Sequence, residues 1–268
     1  MKETILSVGI DIGTSTTQLI FSKLTIENEA SSYVVPRINI VDKEVTYRSK
    51  IYFTPLLSQT EIDAEKVKKI IEAEYKAAGM KPEDLQTGAV IITGETARKH
   101  NANTVLASLS SMAGDFVVAT AGPDLESVLS AKGAGADAFS EEHRQAVANI
   151  DIGGGTSNIA LFQKGNLKGT SCLDIGGRLI KIENGRISYI FPKIQKLAEA
   201  HGIHIAVGDR AEETVLYKIC EYMADQLAMA IHAREADSLH AGLYTNDGKP
   251  LTSEPKIDAI TYSGGVAS

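Results

Sequence analysis

The sequence predicts an α/β protein in which one domain is duplicated, each copy with a mixed sheet, and three observations support this. A ten-residue stretch that begins at Ile10 returns at Ile150, with five of its ten positions identical. Each copy follows one apolar run and precedes another, as two strands joined by a tight turn would. Elsewhere the apolar residues recur with both strand and helix periods, which is typical of helices covering a sheet.

The repeated stretch predicts a β-hairpin whose first strand ends in an aspartate, Asp11 in one copy and Asp151 in the other. A carboxylate at the end of an apolar strand needs a partner, because burying it unpaired is costly. A metal ion and a phosphate would supply that partner, and glycine lets the turn approach them closely. Two ordinary hairpins with Asp-Gly turns are the alternative, which the shared position of the aspartate disfavours. Neither copy is a Walker loop or a dinucleotide fingerprint.

The composition describes an ordinary globular chain and argues against several classes of protein. The length of 268 residues suggests roughly two domains, and 43% hydrophobic with 23% charged residues allows a sizeable core. A net charge of −7 argues against nucleic acid and against an anionic membrane surface as partners. No apolar run reaches the ~18 residues of a membrane span. Cys172 and Cys220 have no metal or disulfide spacing, so we expect small core side chains and a cytoplasmic location.

The first half predicts strands, helices and one strand-rich segment. Residues 33–57 alternate between apolar and polar, which predicts two or three short strands as a small insertion. Residues 60–79 predict an amphipathic helix with a capping box at Thr60 and Asp63 and a stop at Gly79. Beyond them we expect buried strands at 89–93 and 116–120 and helices at 101–113 and 124–132.

The second half repeats this pattern. We expect strands at 147–151, 157–163, 167–173 and 257–262, a hairpin at 181–190, and helices at 192–200 and 209–233. The small residues at 132–138 predict an interdomain helix, with a flexible linker as the alternative. We therefore place the first domain at 1–143 and the second at 144–268.

Both aspartate hairpins, the small-residue run and the strand that leads into Gly264 and Gly265 resemble the actin, sugar-kinase and heat-shock ATPase superfamily. The resemblance covers nearly the whole chain and implies duplicated actin-like ATPase domains of the ribonuclease H-like type. In that superfamily a helix and a second small-residue helix follow the Gly-Gly turn. We therefore expect the second domain to be truncated at its C-terminus.

Four shorter stretches resemble the reactivating factor of ethanolamine ammonia-lyase: TGETARK at 93–99, AGPDLES at 121–127, KGAGA at 132–136 and NIDIGGGT at 149–156. In that family an ATP-driven conformational change releases damaged cobalamin from the lyase, so that intact adenosylcobalamin can replace it. The resemblance implies ATP and Mg²⁺ as cofactors, ATPase activity, and the lyase as protein partner. A homodimer and an association with a bacterial microcompartment are further expectations.

The superfamily resemblance also implies roles for individual residues. Asp11 and Asp151 would hold Mg²⁺ through water, since this ion dehydrates reluctantly. Either could act catalytically by orienting or deprotonating the attacking water, and the resemblance favours Asp151 over Asp11. The residues that would hold phosphate oxygens are Gly13, Thr14, Ser15, Thr16, Gly153, Gly154, Gly155 and Thr156. Gly264 and Gly265 would flank the nucleoside.

Two other functions compete with reactivation. A small-molecule kinase of the same superfamily would need a carboxylate that positions the acceptor, for which Asp137 can be proposed. An actin-like scaffold would bind ATP and polymerise. Glu95, Arg98 and Glu142 are weaker site candidates, for which solvated surface charges are the alternative reading.

Overall fold

The computed structural model describes residues 2–13, 16–28, 38–58, 61–93, 101–110, 117–120, 122–245 and 248–266. The chain divides into two compact units, Met1–Ala121 and Gly122–Ser268. This division falls earlier than the boundary predicted between 143 and 144. The physical reason is that both helices after Gly122 pack on strands of the second unit.

The described strands of the first unit form a mixed sheet and a small ribbon. In chain order they are β1 (Lys2–Ile12), β2 (Thr16–Asn28), β3 (Ile38–Arg48), β4 (Tyr52–Phe53), β5 (Leu56–Ser58), β6 (Glu61–Ile62), β7 (Thr87–Ile92) and β8 (Val117–Thr120). The sheet has the order β3-β2-β1-β7-β8, with β4 paired to β2, while β5 pairs with β6. β1 is antiparallel to β2 and parallel to β7, so the predicted mixed sheet is confirmed.

Alternation along β1 decides which face of this sheet is buried. Val8, Ile10 and Ile12 are buried, whereas Gly9 and Asp11 between them are exposed. The buried face packs against helices α1 (Ala64–Ala78) and α2 (Ala102–Ser110), through side chains that include Val67, Ile71, Tyr75, Leu106 and Leu109. The aspartate therefore lies on the face opposite the main core of the first unit.

Helix α1 begins later than the sequence predicts. Asp63 is its N-cap, and its carboxylate accepts a hydrogen bond of 3.1 Å from the backbone amide of Lys66. The two residues before Asp63 belong to β6, so they are extended rather than helical. The predicted capping partner, Thr60, lies outside the described residues. The predicted end is confirmed, because Gly79 at φ +66° caps the helix.

Within the described part of the segment near 33–57, residues 38–53 contribute strands to the main sheet. They contain β3, which pairs with β2 along most of its length, and β4, which pairs with the start of β2. The alternation within this segment predicts strands correctly. It cannot show the pairing partner, because that depends on a distant strand.

The second unit repeats the topology of the first. Its strands are β9 (Ala146–Ile152), β10 (Ser157–Gln163), β11 (Asn166–Leu173), β12 (Ile180–Glu183), β13 (Arg186–Ile190) and β14 (Ala259–Ser263). The main sheet has the order β11-β10-β9-β14, in which β10 is antiparallel and β14 parallel to β9. β12 and β13 form the predicted hairpin on Asn184 and Gly185, both at positive φ.

Helices cover both faces of this second sheet. They are α3 (Pro123–Gly133), α4 (Ala136–His143) and α6 (Glu213–Ala230), whereas α5 (Pro192–Ala200) packs with the β12–β13 hairpin and α6. One face packs against α6, through Leu227 and Ala230, and the other against α3 and α4, through Ala131 and Ala136. β9 is consequently buried along its first five residues.

The run of small residues at 132–138 covers the end of α3, a break at Ala134 and Gly135, and the start of α4. Gly135 adopts φ +75°, a conformation that favours glycine, and α4 starts directly after it. A Cβ atom at Gly133 or Gly135 would meet nothing within 4 Å among the described residues. The prediction of an interdomain helix is therefore wrong: both helices pack on strands of the second unit.

Candidate functional site

The two glycine turns are closed by the same hydrogen bond. The amide of Gly13 donates to the carbonyl of Thr16 over 2.8 Å, and the amide of Gly153 donates to that of Thr156 over 2.9 Å. A Cβ atom on Gly13 or Gly153 would lie 3.1 or 3.3 Å from that same carbonyl oxygen. The sequence repeat is thus a repeat of structure. Both glycine amides already have an acceptor, so the later residues of each turn are the better candidates to hold phosphate.

In the second turn, the amides of Gly154 and Gly155 have no acceptor among the described residues. They are therefore the strongest backbone donors for an anion in this turn. In the first turn, Thr14 and Ser15 lie outside the described residues, while Thr16 starts β2.

Thr54 supports the first turn, although nothing in the sequence pattern marked it. Its hydroxyl donates to the carbonyl of Gly13 over 2.7 Å and lies 3.1 Å from the hydroxyl of Thr17. Thr54 follows β4, and β4 is tied to α1 because the Tyr52 hydroxyl donates to the buried carboxylate of Glu74. This hydrogen bond raises the pKa of Tyr52 to about 12. The turn is thereby connected to the core of its unit.

Asp11 lies at the end of β1 and is exposed. The Thr93 hydroxyl, at the end of the neighbouring parallel strand, donates to Asp11 Oδ1 over 3.2 Å. Directly across the antiparallel pair stands Gln18. Glu95 and Arg98, the two weaker candidates that follow Thr93, lie outside the described residues.

Asp151 has the equivalent position in the second unit but a different environment. It is half-buried, and the Ser263 hydroxyl donates to its Oδ1 over 3.1 Å. Burial raises the pKa of Asp151, and hydrogen bonds from Ser263 and Ser130 oppose that rise. Asn158 stands directly across the antiparallel pair and is 2% exposed. Its Oδ1 has no hydrogen-bond partner among the described residues.

The last turn lies against the second hairpin. Gly264 adopts φ +91°, and a Cβ atom there would lie 2.4 Å from the carbonyl oxygen of Ile152 and 2.5 Å from Asp151 Oδ1. The amide of Val266 then donates to the same Ile152 carbonyl over 3.2 Å. Asp151, the second glycine turn and Gly264 are therefore adjacent, as the sequence-based site requires within this unit.

A second glycine pair, which sequence reasoning missed, packs behind the second turn. The amide of Gly177 donates to the carbonyl of Gly153 over 3.0 Å, and a Cβ atom on Gly176 would lie 2.6 Å from backbone atoms of Gly154 and Gly155. The available signal was the glycine pair itself, placed just after the strand that follows the hairpin. Close backbone approach is a common reason for glycine at such a position.

Other candidates lie elsewhere. Glu142 is exposed on α4, in agreement with a surface charge. Asp137 at the start of α4 lies 3.6 Å from the ammonium group of Lys132 at the end of α3, in an ion pair. Cys172 is buried as expected, but Cys220 is exposed, so the prediction of a core side chain there is wrong. Cys220 lies on the solvent side of an amphipathic helix.

The site fits a hydrated magnesium ion better than a fully protein-ligated metal. In the described ranges, no three His, Cys, Asp or Glu side chains come together as a metal-binding cluster. Mg²⁺ is usually held by one or two carboxylates, water and substrate phosphates. Asp151, half-buried at the end of its strand, supplies such a carboxylate. The donor set in the second unit is therefore compatible with the ion that the resemblance implies.

Comparisons with known proteins identify the family of this chain. The model of the family described as ethanolamine utilisation protein EutA matches residues 3–268. The chain is 41% identical over 263 residues to the ethanolamine ammonia-lyase reactivase EutA of Salmonella typhimurium. It is 49% identical over 266 residues to the protein of the same name from Escherichia coli. Each match covers 98% of this chain and 56% of the relative.

A solved structure adds information on the fold alone. The crystal structure of the type II variant of the Aquifex aeolicus Ppx/GppA phosphatase matches with a TM-score of 0.50 and 15% identity. The match covers 97% of this chain and 68% of that chain. The predicted actin-like ATPase fold is confirmed. None of the helices in the described ranges combines the length and apolar character that crossing a lipid bilayer requires.

Proposed function

We propose a function from the premise that the chain belongs to the ethanolamine utilisation protein EutA family. The proposed function is ATP-dependent reactivation of ethanolamine ammonia-lyase, in which damaged cobalamin is released and intact adenosylcobalamin replaces it. The observation that carries the proposal is the close identity, over nearly the whole chain, to two proteins named as reactivases of that lyase. The chain spans little more than half the length of those relatives, so the activity is proposed for the whole protein.

The nucleotide is proposed to bind through the residues that the two repeats provide. Gly154 and Gly155 offer amides that have no acceptor within the described part of the chain, and the hydroxyls of Thr16 and Thr156 assist. Gly264, with Gly265, is proposed to flank the nucleoside. Thr14 and Ser15 keep the phosphate-binding role that the sequence predicts for them.

The proposed reaction is transfer of a phosphoryl group to water, for which the protein mainly supplies positioning and charge stabilisation. Magnesium, when bound through water by Asp11 and Asp151, would neutralise phosphate charge. We assign orientation of the attacking water to the Asp151 carboxylate, which would accept its proton at an oxygen atom. The half-buried position of Asp151 favours this assignment, because a desolvated carboxylate is a stronger base.

Release of cyanocobalamin tests the proposal. Purified ethanolamine ammonia-lyase carrying bound cyanocobalamin is mixed with the protein, ATP and Mg²⁺, and free cobalamin is measured after filtration. We expect release with ATP, and none without protein or with an Asp151→Asn variant. Absence of ATP-dependent release from the lyase would refute the proposed function. Transfer of phosphate to an added small-molecule acceptor instead of water would favour the kinase.

Several accompanying expectations stay predictions. They are a cytoplasmic location, association with a bacterial microcompartment, a homodimer, and the absence of nucleic-acid and membrane partners. Analytical ultracentrifugation with and without ATP would test the homodimer and would also detect polymerisation, the behaviour expected of an actin-like scaffold.

A further inference from the structure

A line of three hydrogen bonds leads to the Asp151 carboxylate. Thr261 Oγ1 lies 2.9 Å from Asn149 Oδ1, and Asn149 Nδ2 lies 3.0 Å from Ser263 Oγ. Ser263 Oγ lies 3.1 Å from Asp151 Oδ1. We call these four side chains the hydrogen-bond relay. They occupy alternate positions on the parallel neighbours β9 and β14, where Thr261 pairs with Asn149 and Ser263 with Asp151, so all four share one face.

An ionised Asp151 imposes one direction on the whole relay. A carboxylate can only accept, so the single hydroxyl proton of Ser263 is donated to it. The Ser263 oxygen must then accept from the amide nitrogen of Asn149. That places the Asn149 oxygen towards Thr261, whose hydroxyl donates to it. Asn149 is fully buried, so no bulk water competes for these bonds.

The first unit holds its aspartate differently, because Asp11 Oδ1 accepts from the hydroxyl of Thr93, which follows the neighbouring parallel strand. Gly9 stands two residues before Asp11, where Asn149 stands before Asp151. On the parallel neighbour, Ile91 pairs with Asp11, where Ser263 pairs with Asp151. Neither Gly9 nor Ile91 has a polar side chain. The two copies therefore differ at the positions of Asn149 and Ser263.

We propose that Asn149 and Ser263 are positioning residues that orient the Asp151 carboxylate within the nucleotide site, an inference that rests on the proposed function. Together they hold Asp151 Oδ1, because the Ser263 hydroxyl that donates to it is itself hydrogen-bonded to the Asn149 amide. Residues that support a metal-bound or catalytic carboxylate in this way usually matter almost as much as the carboxylate itself.

Substitutions at Ser263 test the role of its hydroxyl as the hydrogen-bond donor to Asp151. Ser263→Ala removes the hydroxyl, and we expect Mg²⁺-dependent ATP hydrolysis to fall roughly 10- to 100-fold in kcat, with a smaller change in KM. Ser263→Thr keeps the hydroxyl and should restore most of the lost rate. The matched control is Tyr262→Phe, which removes a hydroxyl one residue away on the opposite, exposed side of β14. This control should hydrolyse ATP at the wild-type rate.

A substitution at Asn149 tests the direction of the hydrogen bonds in the relay. Asn149→Asp has nearly the same shape, but two carboxylates would then compete for the one proton of Ser263. We expect it to lose more activity than Ser263→Ala, although it removes no atom from the relay's path. An Asn149→Asp variant as active as the wild type, or a Ser263→Ala variant as active as Tyr262→Phe, would overturn the proposal.

A measurement without nucleotide separates this inference from the proposed function. The side-chain amide of Asn149 is followed in ¹H–¹⁵N spectra and assigned by its loss in Asn149→Asp. Asp151→Asn and Ser263→Ala should both shift it, because the relay transmits the change, whereas Tyr262→Phe should not. An unmoved Asn149 resonance in Asp151→Asn refutes the relay, whatever the protein does with ATP. A shifted resonance in a protein that neither binds nor hydrolyses ATP supports the relay and refutes the function.

Discussion

Replacing Gly176 by alanine should displace the second glycine turn and weaken nucleotide binding. The added Cβ atom would lie 2.6 Å from the carbonyl of Gly154 and from the amide nitrogen of Gly155. That is about 0.8 Å closer than ordinary van der Waals contact, and the obstacle is backbone rather than a flexible side chain. The turn must therefore move by a similar distance. A misplacement of ~1 Å at a reacting centre can cost about 100-fold in rate.

Two measurements check this expectation. Calorimetry with Mg²⁺-ATP should show an affinity roughly 10- to 100-fold weaker than wild type. Chemical unfolding should show a loss of about 1–3 kcal/mol, the usual cost of overpacking. Gly133→Ala is the matched control, because the same methyl group there would meet nothing within 4 Å. A folded Gly176→Ala protein with unchanged affinity for Mg²⁺-ATP would refute the role assigned to the second turn.

Three further substitutions or conditions give separate outcomes. Asp11→Asn and Asp151→Asn should each lower ATP hydrolysis roughly 10- to 1000-fold, which is the usual effect of losing one preorganised electrostatic contact. Steady-state phosphate release measures this rate, and unchanged turnover in both variants would show that these carboxylates take no part in the mechanism. Thr54→Val keeps the shape but leaves the Gly13 carbonyl without that donor, so Mg²⁺-ATP affinity measured by calorimetry should fall about tenfold, and equal affinity would contradict the supporting role. Burial lowers the pKa of His240 from its usual 6.5; Asp237 opposes this shift and His232 adds to it. As pH falls, the unfolded chain therefore binds a proton at this histidine before the folded chain does. The free energy of unfolding should then decrease as pH falls below about 6.5, and a His240→Asn variant should show a weaker pH dependence in urea titrations.

Much of the fold follows from local patterns in the sequence. Strand β10 and helix α5 begin and end where the sequence predicts, because a short apolar run between polar residues marks the strand and a proline at the first helical position marks the helix. The long helix α6 is shorter than predicted at both ends. At its C-terminus His232 adopts φ +57°, which an apolar stripe cannot reveal. Pattern reasoning thus identifies elements better than it identifies their ends.

The aspartates and glycine turns could be identified because the chain contains them twice. The residues that support them could not, since each reaches the site through a contact between distant positions. Thr54 contacts Gly13, and Ser263 contacts Asp151, across 41 and 112 residues. A single hydroxyl side chain in a strand is compatible with many roles, and only the pairing of the strands shows which residue it contacts. The supporting residues are therefore a product of topology, which local sequence does not encode.

One sequence signal could have separated the two aspartates. The copies agree at Asp11 and Asp151, which argues for a shared role, but two residues earlier they differ, as Gly9 and Asn149. A buried amide on an apolar strand is costly unless both ends are bonded, so Asn149 predicts polar partners on the same face of its sheet. Those partners exist only in the second unit. The asymmetry therefore points to divided roles, in which Asp151 is held in one orientation while Asp11 stays exposed on its strand.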